Sequence, residues 1–307
     1  MKKVVISGGT GLIGREISRL LSAKGYAVAV LSRQAPAEQH NIRLFQWDPA
    51  KGVIDSGALE DAYAVIHLAG AGVSEQRWTA ARKAAIADSR IQSAQLLAKA
   101  IQAQKNPPQV FVSASATGYY GARTTSHIFH EGDNPGHDFL ASVCVRWENA
   151  SAALLSLPVR RVILRTGIVM SPEDAFLKKL LPLARLGWNA PLGSGKQWLP
   201  WIHIRDIAGM YVFALEEAHV SGIYNATVSG EEQPDYKTFT RTLGQVLHKP
   251  AWLPPVPAFA LKLALGEMAE IALNGSRASS QKITSAGYKL LFPRLREALE
   301  DLVSYSH

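Results

Sequence analysis

An α/β fold, a doubly wound parallel sheet with a small, mostly helical C-terminal cap, is predicted by three features of the 307-residue sequence. Short β-branched runs alternate with segments of helical spacing. A glycine-rich turn joins the first such run to the first helix. After Pro172 the alternation loosens into sequence punctuated by proline.

The elements follow in order. Lys3 to Ser7 reads as the first strand. Leu12, Ile13, Ile17, Leu20 and Leu21 recur at helical spacing until Gly25 ends the helix. Ala27 to Leu31, Ile42 to Trp47 and Ala64 to Leu68 are the next strands. Trp78 to Ala103 is a long helix closed by Asn106-Pro107-Pro108. Val110 to Ser113 is a strand, Phe139 to Leu155 a helix and Arg161 to Arg165 a strand. Continuously apolar strands between helices signal a parallel sheet covered on both faces. Residues 173–205, with Pro182, Pro191 and Pro200, read as irregular. Asp206 to Glu217 is helical, Gly222 to Val228 is one more sheet strand, and the chain from Glu231 onward is helical with proline breaks.

Composition excludes several classes. With 47% hydrophobic and 19% charged residues, the chain is not disordered. A single cysteine, Cys144, excludes an internal disulfide and a multi-cysteine zinc cluster, and fits a reducing, cytoplasmic setting. Five of the eight net positive charges fall in the first 33 residues, and no long basic run exists, so no nucleic-acid partner is expected. Val4-Val5-Ile6 is too short for a signal-peptide core. The most apolar stretch, Val256 to Leu273, is interrupted by Lys262, Glu267 and Glu270, so no membrane span is expected either.

Gly8-Gly9-Thr10-Gly11-Leu12-Ile13-Gly14 follows a strand and opens a helix. That context suits a dinucleotide: missing Cβ atoms let the backbone approach a pyrophosphate, and the helix amino terminus offers free N–H groups and a positive dipole end. An acid that would bind the ribose hydroxyls is expected about 20 residues further on. The second strand instead ends Leu31-Ser32-Arg33. Arginine pairs with a 2′-phosphate and cannot accept from a 2′-hydroxyl, so the expected cofactor is NADP(H).

These motifs, with His67-Leu68-Ala69-Gly70, Val112 to Gly121 and Trp201-Ile202-His203-Ile204-Arg205-Asp206, resemble the extended short-chain dehydrogenase/reductase superfamily. Ser115 to Gly121, Arg146-Trp147-Glu148 and Leu164-Arg165-Thr166-Gly167 resemble its atypical, epimerase-like subgroup, and the tail from about 249 to 300 resembles that subgroup's small C-terminal domain of unknown function. The resemblance implies an NADP-binding Rossmann domain from 1–172 and 206–230, with a substrate-side cap from 173–205 and 231–307. It also implies cofactor contacts from Gly8, Thr10, Gly11, Leu12, Ile13, Gly14, Ser32, Arg33, Leu68, Ala69, Gly70 and Ser113. Arg90 reaches a phosphate or forms a surface ion pair.

The departure is at the catalytic pair. Active superfamily members carry Tyr-x-x-x-Lys, the lysine lowering the tyrosine pKa for proton transfer. None of the nine tyrosines here has lysine four places on, and alignment on Glu148 puts Leu140 and Cys144 at those positions. Two readings stand. Ser115 and Tyr120 form a rewired proton relay, or the phenols of Tyr119 and Tyr120 pack structurally. Cys144 is likewise either a cofactor-facing thiol or a small buried filler. The resemblance makes Tyr119, Arg185, Lys196 and His203 substrate contacts, the last three for an anionic group. The loop with His127, His130, Glu131 and His137 reads as a lid, and no metal is expected. The functions implied are an NADP(H)-dependent oxidoreductase or sugar-nucleotide epimerase of unassigned small-molecule substrate, monomeric or homodimeric, or a non-catalytic NADP(H)-sensing regulator related to cell division.

Overall fold

A computed structural model describes residues 1–33, 38–39, 42–250 and 253–304. The first half runs β1 (Lys3–Ser7), α1 (Leu12–Ala23), β2 (Ala27–Ser32), β3 (Glu38–Gln39), β4 (Ile42–Asp48), β5 (Val53–Ile54), β6 (Ala62–His67), α2 (Ala80–Gln102), β7 (Val110–Ala116), β8 (Ile128–Phe129) and α3 (Phe139–Ala150). The second half runs β9 (Arg160–Thr166), β10 (Ile168–Met170), α4 (Ala175–Arg185), β11 (Trp201–His203), α5 (Ile204–Glu216), β12 (Gly222–Ala226), α6 (Tyr236–Val246), α7 (Ala258–Leu265), α8 (Glu270–Leu273), β13 (Arg277–Ala278), α9 (Gln281–Ser285) and α10 (Leu295–Ser304).

The main sheet has the order β12-β9-β7-β6-β1-β2-β4-β3, and every pairing from β12 to β4 is parallel. Successive strands therefore wind outward in both directions from β1, and the order reverses between β1 and β6. Open sheets bind ligands at such a reversal, beyond the carboxyl ends of the strands.

Alternation within β1 shows how the two faces are filled. Val4 and Ile6 join one core with Ile17 and Leu21 of α1 and Ile207 and Tyr211 of α5. Val5 joins the opposite core with Leu97 and Ile101 of α2. Strand side chains point to alternate faces, so both faces need apolar residues. Truncating one such residue, as in Ile6→Ala, costs about 2–5 kcal/mol.

Where the sequence reads irregular, residues 173–205 in fact contain α4, with Pro182 inside it, and β11, which pairs with β10. Leu177 and Leu181 of α4 pack with Phe239 and Leu243 of α6 and Leu299 and Leu302 of α10 in a third core. The C-terminal segment is more than a cap. β13 pairs with β8, Ile283 of α9 enters the first sheet core, and the Asp206 carboxylate accepts the backbone N–H groups of Leu291 and Phe292 at 2.7 and 3.0 Å.

Candidate functional site

The carboxyl ends of β1, β2 and β6 meet at the glycine turn. Gly8 has φ +73°, and a Cβ there would lie 3.0 Å from Ala69 N, so the β1 and β6 turns lie backbone against backbone. At Gly14 a Cβ would strike the Gly8 carbonyl oxygen, which is why α1 can start so close to the turn. Gly11 caps α1 in an extended conformation, no side chain caps the helix, and its first turn carries no acid. The positive end of the helix therefore remains open to an anion. Thr10 is exposed, and its carbonyl accepts from Arg15 Nη1 at 3.1 Å. Leu12 and Ile13 are half-buried. At the end of β2, Ser32 is buried and Arg33 exposed, and neither position holds an acid.

Under the β6 turn lies His67, which has no exposed surface. Its Nδ1 is 2.7 Å from Ser7 Oγ, and its Nε2 is 3.3 Å from Ser93 Oγ. Burial pushes its pKa down to about 3, so the ring is neutral. Leu68 N donates to Ser7 Oγ at 3.3 Å, which ties the two turns together. Gly70 sits on the Arg90 guanidinium. Among the described residues Arg90 makes no ion pair. It donates from Nη1 to Ala71 O at 2.8 Å and Ile86 O at 3.0 Å and lies over the Trp147 ring at 5.1 Å. It braces the turn from beneath, correcting the surface-pair reading.

The serine strand end is also a brace. Ser115 Oγ donates to Glu148 Oε1 at 2.7 Å. Arg165 holds both oxygens of that carboxylate, at 2.8 and 2.9 Å, and donates from Nη1 to Tyr120 Oη at 3.1 Å. Tyr120 Oη donates to Asn225 Oδ1 at 2.7 Å. Tyr120 has no exposed surface, and burial pushes its pKa up to about 12. Ser115 and Tyr120, the two hydroxyls of the expected relay, do sit in one hydrogen-bonded network through Glu148 and Arg165, and both are buried. Tyr119, half-buried, has the Arg165 guanidinium 3.3 Å from its ring centroid. Ser113 is buried, and its hydroxyl donates to Ala114 O.

Beyond the ends of β7 and α3 opens a cleft of about 420 Å³. Trp78, Phe139, Leu140, Ile168, Trp198, Leu199 and Ile271 give it apolar walls, and Asp138, Glu267 and Glu270 line it as well. Leu140 occupies the cleft wall, whereas Cys144 is 4% exposed behind Gly118, with its thiol pushed up to about 12 by burial. Asp138 caps α3, accepting from Ala141 N, and also holds Ala122 N at 2.7 Å. A second hollow, about 670 Å³, lies at the opposite ends of β1 and β2, away from the glycine turn.

The three residues expected to meet an anion are elsewhere. Arg185 and Lys196 are exposed and do not line the cleft. His203 has no exposed surface, caps α5 through Nδ1 and faces Asp301 at 3.3 Å. Burial outweighs the pull of Asp301 and lowers its pKa, so this contact is not a charged pair at neutral pH. The loop of His127 to His137 is stitched down: β8 pairs with β13, Glu131 Oε1 accepts Asn225 N at 2.8 Å, and His127 Nε2 meets Asp133 Oδ2 at 2.9 Å. Among the described residues, no group of three or more His, Cys, Asp or Glu is arranged to hold a metal. Sequence reasoning missed Trp198, Glu267, Glu270 and Ile271 as cleft residues, because only the docked tail brings them there. Asp138 carried one usable signal, a helix-capping residue directly before an apolar run.

Fold and glycine turn together define a Rossmann-type protein of the short-chain dehydrogenase/reductase class. The chain belongs to the NAD-dependent epimerase/dehydratase family, whose model matches residues 4–227, and residues 256–302 match a domain of unknown function. It is similar to the epimerase family protein SDR39U1 of Bos taurus, 33% identical over 307 residues, covering 98% of this chain and 100% of the relative. YfhF of Bacillus subtilis is 33% identical, with 98% of each chain covered. The crystal structure of human SDR39U1 (isoform 2) with NADPH superposes at a TM-score of 0.87 with 30% identity, covering 98% of this chain and 99% of that one. No helix of the described residues is long and apolar enough to cross a membrane.

Proposed function

We propose that the protein binds NADP(H) between the β1 and β6 turns and acts on a small molecule in the adjoining cleft, as an enzyme of oxidoreductase or epimerase type. The observation that carries this reading is the uncapped start of α1 set against Gly8 and Gly14, with Ser32 and Arg33 in place of an acid. The NADPH bound by the human relative supports it. Backbone N–H groups of the glycine turn hold the pyrophosphate, and Ser32 and Arg33 hold the 2′-phosphate. When bound, the cofactor supplies a hydride donor or acceptor to the cleft. In this reading residues 1–172 and 206–230 serve the cofactor, and 173–205 with 231–307 serve the substrate side.

Calorimetric titration with NADPH and NADH tests it. NADPH binds tighter, and Arg33→Ala weakens NADPH about tenfold while leaving NADH unchanged. Equal affinity for the two cofactors in the native protein overturns the assignment.

A second reading, a non-catalytic NADP(H)-sensing regulator, is favoured by one observation: among the described residues no tyrosine, lysine, histidine or cysteine lines the cleft. Following reduced-nicotinamide absorbance against carbonyl compounds and nucleotide sugars separates the two. Turnover of any member supports the enzyme, and tight NADPH binding without turnover supports the sensor.

A further inference from the structure

We infer that the cleft takes a small, largely apolar molecule that bears no anionic group, and that it excludes nucleoside-diphosphate sugars. The inference rests on the reading that this cleft is the substrate site. Its side walls are two tryptophans, Trp78 and Trp198, with Phe139 and Leu140 from α3 and Ile271 from α8. Its charged lining groups are all carboxylates: Asp138, Glu267 and Glu270. No lysine, arginine or histidine is among the described lining residues. A diphosphate entering such a site gives up its hydration without gaining a cationic partner, and meets like charge as well.

Two of the surrounding cations already have partners. Lys83 is drawn to Glu267 at 2.5 Å, and Arg277 is spread over the outer Trp198 ring at 4.0 Å, donating to Ser126 O. Asp138 is committed to two backbone N–H groups, and Glu270 accepts from the Asn274 amide at 2.8 Å. Among the described residues Glu270 makes no ion pair, and the cleft leans toward neutral or positively charged ligands. The residues that the sequence offered as phosphate contacts, Arg185, Lys196 and His203, lie outside the cleft. Volume points the same way. A space of about 420 Å³ sits near the lower end of small-molecule sites.

The experiment is a charge series on one aryl-alkyl skeleton, with a nucleotide sugar beside it. After saturation with NADP⁺, phenethyl alcohol, phenethylamine, phenylacetate and UDP-glucose are titrated by calorimetry. The alcohol and the amine bind at least about tenfold tighter than phenylacetate and UDP-glucose. Glu270→Arg, at an exposed helix start, narrows or reverses the gap between amine and phenylacetate. UDP-glucose binding as tightly as the alcohol, or a flat series, overturns the proposal. The preceding NADP⁺ titration is read separately. If the cofactor fails to bind, the cofactor assignment falls, and the charge preference is then read on the cofactor-free protein.

Discussion

Arg165 and Glu148 face each other as a two-pronged pair, with 2% and 8% of their side chains exposed. Taking two charges out of water costs several kcal/mol each, and such a pair holds only when further hydrogen bonds satisfy it. Here Ser115, Tyr120 and the carbonyl of Glu131 do so. Arg165→Met leaves the carboxylate buried without its cation and costs about 3–5 kcal/mol by urea denaturation. Arg165→Lys recovers little, because an ammonium cannot span both carboxylate oxygens and the phenol. A loss below about 1 kcal/mol for Arg165→Met would show that the pair is solvated and not part of the frame.

Gly14→Ala separates α1 from the turn. The added methyl must displace the Gly8 carbonyl, costing about 1–3 kcal/mol of stability and moving the helix start away from its ligand position. NADPH affinity falls at least about tenfold. Unchanged affinity in a folded variant would detach this turn from the cofactor.

Histidine burial sets the acid limb of stability. The folded pKa of His67, about 3, lies below its unfolded value near about 6.5, so the unfolded chain binds the proton first. The contribution is complete above about pH 6.5 and is lost as pH falls toward about 3, at up to about 1.4 kcal/mol per pH unit. His203 acts in the same direction. Urea midpoints measured between about pH 7 and about pH 5 should fall with a slope that His67→Asn makes shallower. A pH-independent midpoint over that range contradicts neutral burial.

Cys144 offers a simple readout, since it is the one thiol in the chain. Buried, with its pKa raised to about 12, it stays unreactive toward an aromatic disulfide reagent at mildly alkaline pH until the protein unfolds. Rapid labelling of the native protein, slowed by NADPH, would instead make it the cofactor-facing thiol.

The sheet was legible in the sequence because its signals are local. Val4-Val5-Ile6 and the glycines that follow declare strand and turn within a dozen residues, and Arg33 stands near where an acid is expected. The cleft was not legible, for a physical reason. Arg185 and Lys196 have the right chemistry for an anion, but direction into a cavity depends on how α4 and the following loop pack. Glu267, Glu270 and Ile271 look like one side of an ordinary helix until the docking of the tail turns them toward Trp78 and Phe139. Tyr120 was opaque for a related reason. Its neighbours in sequence promised a reactive phenol, while its partners, Arg165 and Asn225, come from β9 and β12.

The pairing of β8 with β13 and the place of Ile283 among the sheet residues bear on how the chain can be made. The amide of Asn225 donates to the carbonyl of Ser279, and the amide of Gln233 both donates to and accepts from Ala278. During synthesis the parallel strands emerge well before these partners do. Until the last stretch leaves the ribosome, the sheet carries an open apolar face and amides short of one acceptor each, the kind of intermediate that aggregates or recruits chaperones. A chain cut after β12 lacks the strand partner of β8 and the Ile283 side chain that fills the first sheet core.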